Sequence, residues 1–188
     1  MMEKIVLASG SPRRRQLLEW AEVDFEVIVK ETPETYPAGL PVGLVPVHIA
    51  RNKALAVKKE LGAGRIVLAA DTVVVLDGEI IGKPKDRDDA IAILMRLADN
   101  EHEVITGVIL ARGEEEIAFA DSTAVWFHPL TRDQIEAYVD KYRPYDKAGA
   151  YAIQEWIGVV GIRSIEGDFY NVMGLPVSRV VRELTKLL

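Results

Sequence analysis

The chain has 188 residues, of which 49% are hydrophobic and 28% charged, and this composition is typical of one globular domain. Its net charge of −6 argues against a general attraction to nucleic acid or to anionic membranes. It contains no cysteine, which excludes disulfides, zinc–thiolate sites, iron–sulfur clusters and thiol catalysis.

The N-terminal segment "MMEKIVLASGS" has an apolar run that is too short for a signal peptide. No segment approaches the roughly 20 apolar residues of a membrane span. We therefore expect a cytoplasmic protein without a membrane partner.

The first half of the chain alternates strands and helices. "KIVLAS" predicts a buried strand that leads into a helix, with Ser11 as N-cap and Pro12 as its first residue. "FEVIVK" predicts a second strand, and a Pro- and Gly-rich loop follows it. Residues 44–61 have helical spacing and end at Gly62. "RIVLAADTVVVL" predicts a long strand that turns at "DG" into "EIIG" as a hairpin.

The second half predicts a helix over "RDDAIAILMRLAD", then two long antiparallel strands joined at "RGEE". A helix capped by Thr131 follows, then a strand-like stretch "WIGVVGIRSIEGDFY", and a last helix from about Pro176 to the end. Because some strands alternate with helices and others form hairpins, we predict an α/β fold with a mixed sheet.

Three arginines crowd the start of the first predicted helix, where the helix dipole is already positive. Ser9, Ser11, Arg13 and Arg14 lie where the first strand becomes this helix. Backbone N–H groups and guanidinium groups at such a position suit phosphate oxygens. The alternative is a solvated basic turn that pairs with Glu19 or Glu22.

Asp71 and Thr72 interrupt an apolar strand, and a carboxylate there needs a partner to offset its desolvation. Asp71 is either a structural residue or a metal ligand or general base. Lys83 follows the hairpin and could reach the same place, Lys53 lies on a helix among small residues, and Glu34 lies in a loop. Each of these three is unremarkable alone.

Several other kinds of site lack support. The three histidines are scattered without ligand spacing, so we expect them to be surface or partly buried residues without a role. "GSPRRR" is not a Walker A loop, and no Gly-x-Gly-x-x-Gly follows the first strand.

In combination, eight stretches resemble the Maf family of nucleoside triphosphate pyrophosphatases. They are "LASGSPRRRQLL", the loop with Glu34, "ARNKA", "AADTVV", "GKPKD", "ITGV", "YDKAGAYAIQ" and "VMGLPV". The resemblance covers nearly the whole chain. It implies one domain over residues 1–188, with a long bent mixed sheet, surrounding helices and two lobes around a central cleft, similar to inosine-triphosphate pyrophosphatases.

The resemblance also implies an activity, the hydrolysis of the α–β phosphoanhydride of a nucleoside triphosphate to the monophosphate and pyrophosphate. It implies a divalent cation, Mg²⁺ or Mn²⁺, held by Glu34 and Asp71, and is compatible with a homodimer. Asp71 takes the role of proton acceptor, and the other implied residues are catalytic Lys53, Lys83 and Glu34 and phosphate-binding Ser9, Ser11, Arg13 and Arg14.

Arg13, Thr72 and Gln154 match the positions that the family associates with base choice. "DKAGAYxIQ" resembles the branch that acts on dTTP and UTP, whereas the branch that acts on 7-methyl-GTP has Glu in place of Gln154. A neutral amide can both donate to a pyrimidine carbonyl and accept from its N3–H. The chain departs from the branch at Ala152 and Glu155, where glycines are usual, and this restricts the backbone beside the amide.

Three alternatives stay open. The same reaction could act on 7-methyl-GTP or another nucleotide, or the chain could be a non-catalytic, nucleotide-binding regulator of cell division. A phosphatase that releases orthophosphate from the γ position would be distinguished by its product.

Overall fold

A computed structural model describes residues 4–62 and 64–188. Met1–Glu3, the first residues of the N-terminal segment judged too short for a signal peptide, lie outside the described residues. The helices are α1 Pro12–Trp20, α2 Val45–Lys58, α3 Arg87–Leu97, α4 Arg132–Tyr142, α5 Trp156–Gly161, α6 Phe169–Met173 and α7 Val177–Leu184. The strands are β1 Ile5–Leu7, β2 Phe25–Val27, β3 Ile66–Leu76, β4 Glu79–Ile81, β5 Glu101–Arg112, β6 Glu115–Phe127 and β7 Ile162–Glu166.

Within the described residues, the strands form one seven-stranded sheet in the order β2-β1-β3-β5-β6-β7, with β4 paired to β3. β1 is parallel to both β2 and β3, whereas β4 is antiparallel to β3 and β7 is antiparallel to β6. The sheet is therefore mixed, and the predicted α/β fold class is confirmed. Among the described residues, no helix has both the length and the apolar character needed to cross a membrane.

The stretch "WIGVVGIRSIEGDFY" differs from the prediction of a strand. Its first six residues form α5, only Ile162–Glu166 are β7, and Phe169–Met173 form α6. Gly158 packs closely on the backbone five residues before it, because a Cβ there would lie 1.7 Å from the carbonyl oxygen of Ile153. This close approach requires glycine, and a window of β-formers does not reveal it. The helix predicted over 44–61 also ends earlier, at Lys58.

The chain divides into two compact units. The first comprises the chain up to Thr72, Thr106–Asp121 and Gly174–Leu188. Its core includes a cluster of buried aliphatic residues from β1 and the residue that follows it, α2, β3 and β5: Val6, Ala8, Val47, Ala50, Ala54, Val57, Val67, Ala69, Ile109 and Ala111. The small side chains of Ala50 and Ala54, on either side of Lys53 in the sequence, let α2 approach the sheet closely.

The second unit comprises Val73–Ile105 and Ser122–Met173. Each of its two longer helices begins with a side-chain cap, from Asp86 on α3 and from Thr131 on α4, where Gln134 completes a capping box. The cap predicted at Thr131 is thus confirmed. α3 and α4 contact each other, and each has a fully buried residue, Leu94 on α3 and Ile135 on α4. The cleft between two lobes stays a prediction.

Candidate active site

The end of β1, which leads into α1, pairs with β3 near its start. Leu7 pairs with Leu68 in the parallel register, and the N–H of Ala8 donates to the carbonyl oxygen of Leu68 at 2.8 Å. Ser9 follows two residues after Leu7, and Asp71 follows three residues after Leu68, so each lies just beyond this pairing on its own segment. The sheet register therefore brings two predicted parts of the site together within the first unit.

Ser11 and Pro12 occupy the predicted N-cap and first helical positions of α1. Within the described residues, the hydroxyl of Ser11 makes no capping hydrogen bond, and its backbone N–H instead donates to Ser9 Oγ at 3.3 Å. The first turn of α1 contains no acidic residue. The helix thus begins with positive charge at its positive end, as the sequence indicated.

The three arginines of this turn have different environments. Arg15 is exposed and donates to the carbonyl oxygen of Gly10 at 3.3 Å, and Arg13 is half-buried. Arg14, in contrast, is only 8% exposed. The solvated basic turn considered as an alternative therefore describes Arg15 and not Arg14.

The guanidinium of Arg14 is held by three uncharged oxygens. Nε donates to the carbonyl of Gly174 at 2.8 Å, Nη1 to Ser9 Oγ at 3.0 Å and Nη2 to Thr72 Oγ1 at 3.1 Å. Thr72 Oγ1 lies a further 2.9 Å from Thr106 Oγ1. Arg14 therefore joins the β1–α1 turn, β3 and the segment before α7, and it lies against Thr72, one of the predicted specificity residues.

Burial lowers the pKa of Arg14 to about 10, and the nearby negative charge of Asp71 opposes this shift. Arg14 still carries its charge at neutral pH. Its three hydrogen bonds to described residues use three of its five N–H donors. Two donors are left for an anion, so the phosphate contact predicted for Arg14 is compatible with this geometry and stays a prediction.

Asp71 forms an ion pair with Lys53. Lys53 Nζ on α2 lies 2.7 Å from Asp71 Oδ1 and 2.9 Å from Glu34 Oε1. The side chains of Asp71 and Lys53 are 13% and 18% exposed, whereas that of Glu34 is 48% exposed. The structure thus brings Lys53 and Glu34, each unremarkable alone, together with Asp71, and it gives Asp71 the partner that a carboxylate in a buried strand needs.

The donor set fits a divalent cation in part. Asp71 Oδ1 and Glu34 Oε1 both contact Lys53 Nζ. The distance between the two carboxylate oxygens is therefore at most the sum of their distances to that nitrogen. Among the described residues, no group of three or more His, Cys, Asp or Glu side chains could hold a metal. Two carboxylates fit Mg²⁺ or Mn²⁺ when phosphate oxygens complete the coordination, as is usual for Mg²⁺.

The second unit contains the remaining predicted residues. Lys83 is exposed directly after β4, and Gln154 is exposed in the turn before α5. The backbone N–H of Gly149 donates to the carbonyl of Gly82 at 3.2 Å, so the segments that carry Lys83 and the "DKAGAY" motif are neighbours. Their convergence with Asp71 stays a prediction.

Sequence reasoning missed Thr106 and Gly174, which complete the Arg14 network. Both lie in motifs that carry the family resemblance, "ITGV" and "VMGLPV", but no role was assigned to them. It also treated His102 as a surface or partly buried residue. His102 is 2% exposed, and its Nε2 lies 2.6 Å from the hydroxyl of Tyr151.

Residues 4–187 match the family model described as "Maf-like protein". The chain is 48% identical over 183 residues to the dTTP/UTP pyrophosphatase of Cytophaga hutchinsonii, covering 97% of this chain and 84% of that protein. It is 46% identical over 182 residues to the dTTP/UTP pyrophosphatase of Parabacteroides distasonis, covering 96% and 94%.

Among solved structures, a HAM1 protein from Coxiella burnetii is similar with a TM-score of 0.50 and 15% identity. The match covers 98% of this chain and 100% of that one. This likeness shows the fold and agrees with the fold class expected from the sequence.

Proposed function

The chain belongs to the Maf family, and from this membership we propose that it hydrolyses dTTP and UTP to the monophosphates and pyrophosphate. The observation that carries the proposal is the contact of Lys53 with both Asp71 and Glu34, inside a unit that also holds the arginine-rich turn. The names of the curated relatives support the choice of nucleotide.

In the proposed reaction, a water molecule attacks the α-phosphorus and gives a proton to Asp71. The bond between the α-phosphorus and the bridging oxygen breaks, and its electron pair leaves with pyrophosphate. A general base of this kind contributes about 10²- to 10⁴-fold to the rate. Lys53, which already lies against Asp71, holds the carboxylate in place and adds positive charge next to the reacting group.

Positively charged side chains bind the triphosphate. A triphosphate carries close to four negative charges, and Arg13, Arg14, Lys53 and Lys83 supply a matching number of positive charges. Ser9 and Ser11 stand at the start of α1, where backbone N–H groups favour an anion.

We propose Mg²⁺ or Mn²⁺ as cofactor, with Glu34 and Asp71 as the protein ligands. Such a cation neutralises phosphate oxygens and lowers the pKa of water bound to it. Because Lys53 contacts both carboxylates, it would turn toward the phosphates when a cation occupies this position.

For base choice we propose Gln154, Thr72 and Arg13. The amide of Gln154 offers one donor and one acceptor, which match a carbonyl and the N3–H of uracil or thymine. The methyl group of thymine is worth only about 1 to 3 kcal/mol of discrimination in an apolar pocket, so one site accepts both dTTP and UTP. We place the enzyme in the cytoplasm, where these nucleotides are found.

The test is product analysis with purified protein and Mg²⁺ or Mn²⁺ across dTTP, UTP, CTP, dGTP and 7-methyl-GTP. We expect monophosphate and pyrophosphate, with dTTP and UTP preferred. Orthophosphate in the absence of added pyrophosphatase would contradict the bond assignment. A preference for 7-methyl-GTP would overturn the role of Gln154, and binding without turnover of any triphosphate would favour the nucleotide-binding regulator.

A further inference from the structure

The turn that carries Gln154 is closed by its own backbone. The N–H of Glu155 donates to the carbonyl of Ala152 at 3.1 Å, which makes Ala152–Glu155 a four-residue turn with Gln154 exposed at its third position. The two departures from the usual branch sequence, Ala152 and Glu155, are the two ends of this turn.

One phenol bridges both ends of the turn. The hydroxyl of Tyr138 on α4 accepts a hydrogen bond from the backbone N–H of Ala152 at 3.3 Å and donates one to Glu155 Oε2. Tyr138 is 1% exposed. Burial, together with the hydrogen bond to Glu155, raises the pKa of Tyr138, so its hydroxyl keeps its proton and acts as the donor to Glu155.

Other contacts hold Glu155 in place. Its second carboxylate oxygen lies 3.8 Å from Lys147 Nζ, and the Lys147 side chain is only 11% exposed. Its carbonyl accepts from the N–H of Gly158 at 2.9 Å in the first turn of α5. Since a Cβ on Gly158 would overlap the Ile153 carbonyl, α5 is packed directly against the turn. The backbone on both sides of Gln154 is therefore fixed from inside the second unit.

We propose that Tyr138 and Glu155 are positioning residues for base selection, which fix the turn so that the Gln154 amide meets the nucleobase in one orientation. This inference rests on the proposed function. An exposed amide on a mobile turn would adapt to several bases, whereas an amide on a fixed turn favours the base whose donor and acceptor match it.

The experiment measures kcat/KM for dTTP and dGTP and compares their ratio among variants. Tyr138→Phe removes the hydroxyl and keeps the ring, and we expect the ratio to fall about tenfold, the value of one lost hydrogen bond. Glu155→Ala should lower the ratio similarly, and Glu155→Gln, which keeps an acceptor oxygen, should retain most of it. Tyr142→Phe is the matched control, because the half-buried Tyr142 ring stacks on Tyr138 at 4.9 Å but lies outside the hydrogen bonds that hold the turn, and it should leave the ratio unchanged.

A double-mutant cycle separates positioning from a general structural role. If Tyr138 acts through the amide, then Tyr138→Phe in a Gln154→Ala background should leave the ratio unchanged. An equal loss for both nucleotides, or a further fall of the ratio in the Gln154→Ala background, would overturn the proposal. Thermal midpoints report whether each variant folds, and Glu155→Ala carries the test alone where Tyr138→Phe does not fold.

The proposed function fails separately from this inference. A wild-type protein that does not hydrolyse dTTP or UTP overturns the function, and the ratio of dissociation constants for dTTP and dGTP then tests the positioning residues. A wild-type protein with the expected activity and an unchanged ratio in Tyr138→Phe overturns only the positioning role.

Discussion

Lys53 Nζ on α2 lies 2.7 Å from Asp71 Oδ1. Asp71 belongs to β3, whose other residues are nearly all apolar and buried. Removing one partner of such a pair leaves the other charge without compensation in a poorly solvated place. As a purely structural element the ion pair has no advantage, because apolar residues of similar size often stabilise a fold as much as a buried ion pair does. Its presence beside the arginine-rich turn favours a chemical role for Asp71.

Asp71→Asn should reduce kcat for dTTP by about 10²- to 10⁴-fold, because the amide keeps the shape of the side chain but cannot accept a proton. Binding of dTTP, measured by titration calorimetry, should change little. Asp77→Asn is the matched control, since Asp77 lies exposed directly after the same strand with a φ of 52° that asparagine tolerates. Retention of most of the rate by Asp71→Asn would make Asp71 a structural residue.

Arg14→Met should destabilise the fold by about 2 kcal/mol, because it leaves the buried Gly174 carbonyl and two hydroxyls without their donor. Arg14→Lys should recover only part of this loss, since one ammonium cannot reach the three acceptors that the guanidinium fork reaches. The measurement is the free energy of unfolding from urea denaturation.

Arg15→Met is the control for Arg14, because Arg15 lies in the same helical turn but is exposed with one hydrogen bond to a backbone carbonyl. We expect its effect to be within about 0.5 kcal/mol. Equal losses for the two variants would show that the network around Arg14 does not contribute to stability.

Local chemistry made the N-terminal helix, the Thr131 cap and the mixed sheet predictable. Each depends on residues that are neighbours in sequence: Ser11 with Pro12, Thr131 with Gln134, and the "DG" turn between β3 and β4. The position of Asp71 inside an apolar strand also indicated that its carboxylate needs a partner. It did not indicate that Lys53 is this partner, because α2 and β3 meet only in the folded chain.

The remaining features depend on contacts between distant residues. Arg14 meets Gly174 across 160 positions, and Glu155 meets Tyr138 across 17. The wrong prediction for Trp156–Gly161 has a different origin, because this segment is helical with Gly158 packed on Ile153 only five residues away, although its valines and isoleucine favour strands.

His102 should make the protein less stable in acid. Burial lowers the pKa of His102 to about 4, below its ordinary value near 6.5. Between these values the unfolded chain binds a proton that the folded chain excludes, so stability is complete above pH 6.5 and falls as the pH drops toward 4. The loss attributable to this group is about 3 kcal/mol.

The measurement is the free energy of unfolding by urea at several pH values between 4.5 and 7.5. In His102→Gln, which keeps a polar partner for Tyr151, the slope below pH 6.5 should be shallower than in the wild type. His128→Gln is the control, because an exposed imidazole is solvated in both states. Parallel pH profiles for His102→Gln and the wild type would contradict the assignment.

Gly107→Ala should destabilise the first unit by about 3 kcal/mol, near the upper end for overpacking. A Cβ at Gly107 in β5 would lie 2.2 Å from the backbone nitrogen of Val47 and 2.4 Å from the carbonyl carbon of Pro46. These are backbone atoms at the start of α2, so relief requires the helix to move away from the sheet. Because α2 also carries Lys53, kcat for dTTP should fall together with stability.

Gly43→Ala tests whether the loss at Gly107 comes from this close approach. A Cβ at Gly43 meets no atom within 4 Å, so the change in the free energy of unfolding should be within about 0.5 kcal/mol. A Gly107→Ala variant as stable as Gly43→Ala would mean that α2 can withdraw from β5 without loss. The position of Lys53 against Asp71 would then not depend on the contact between α2 and β5.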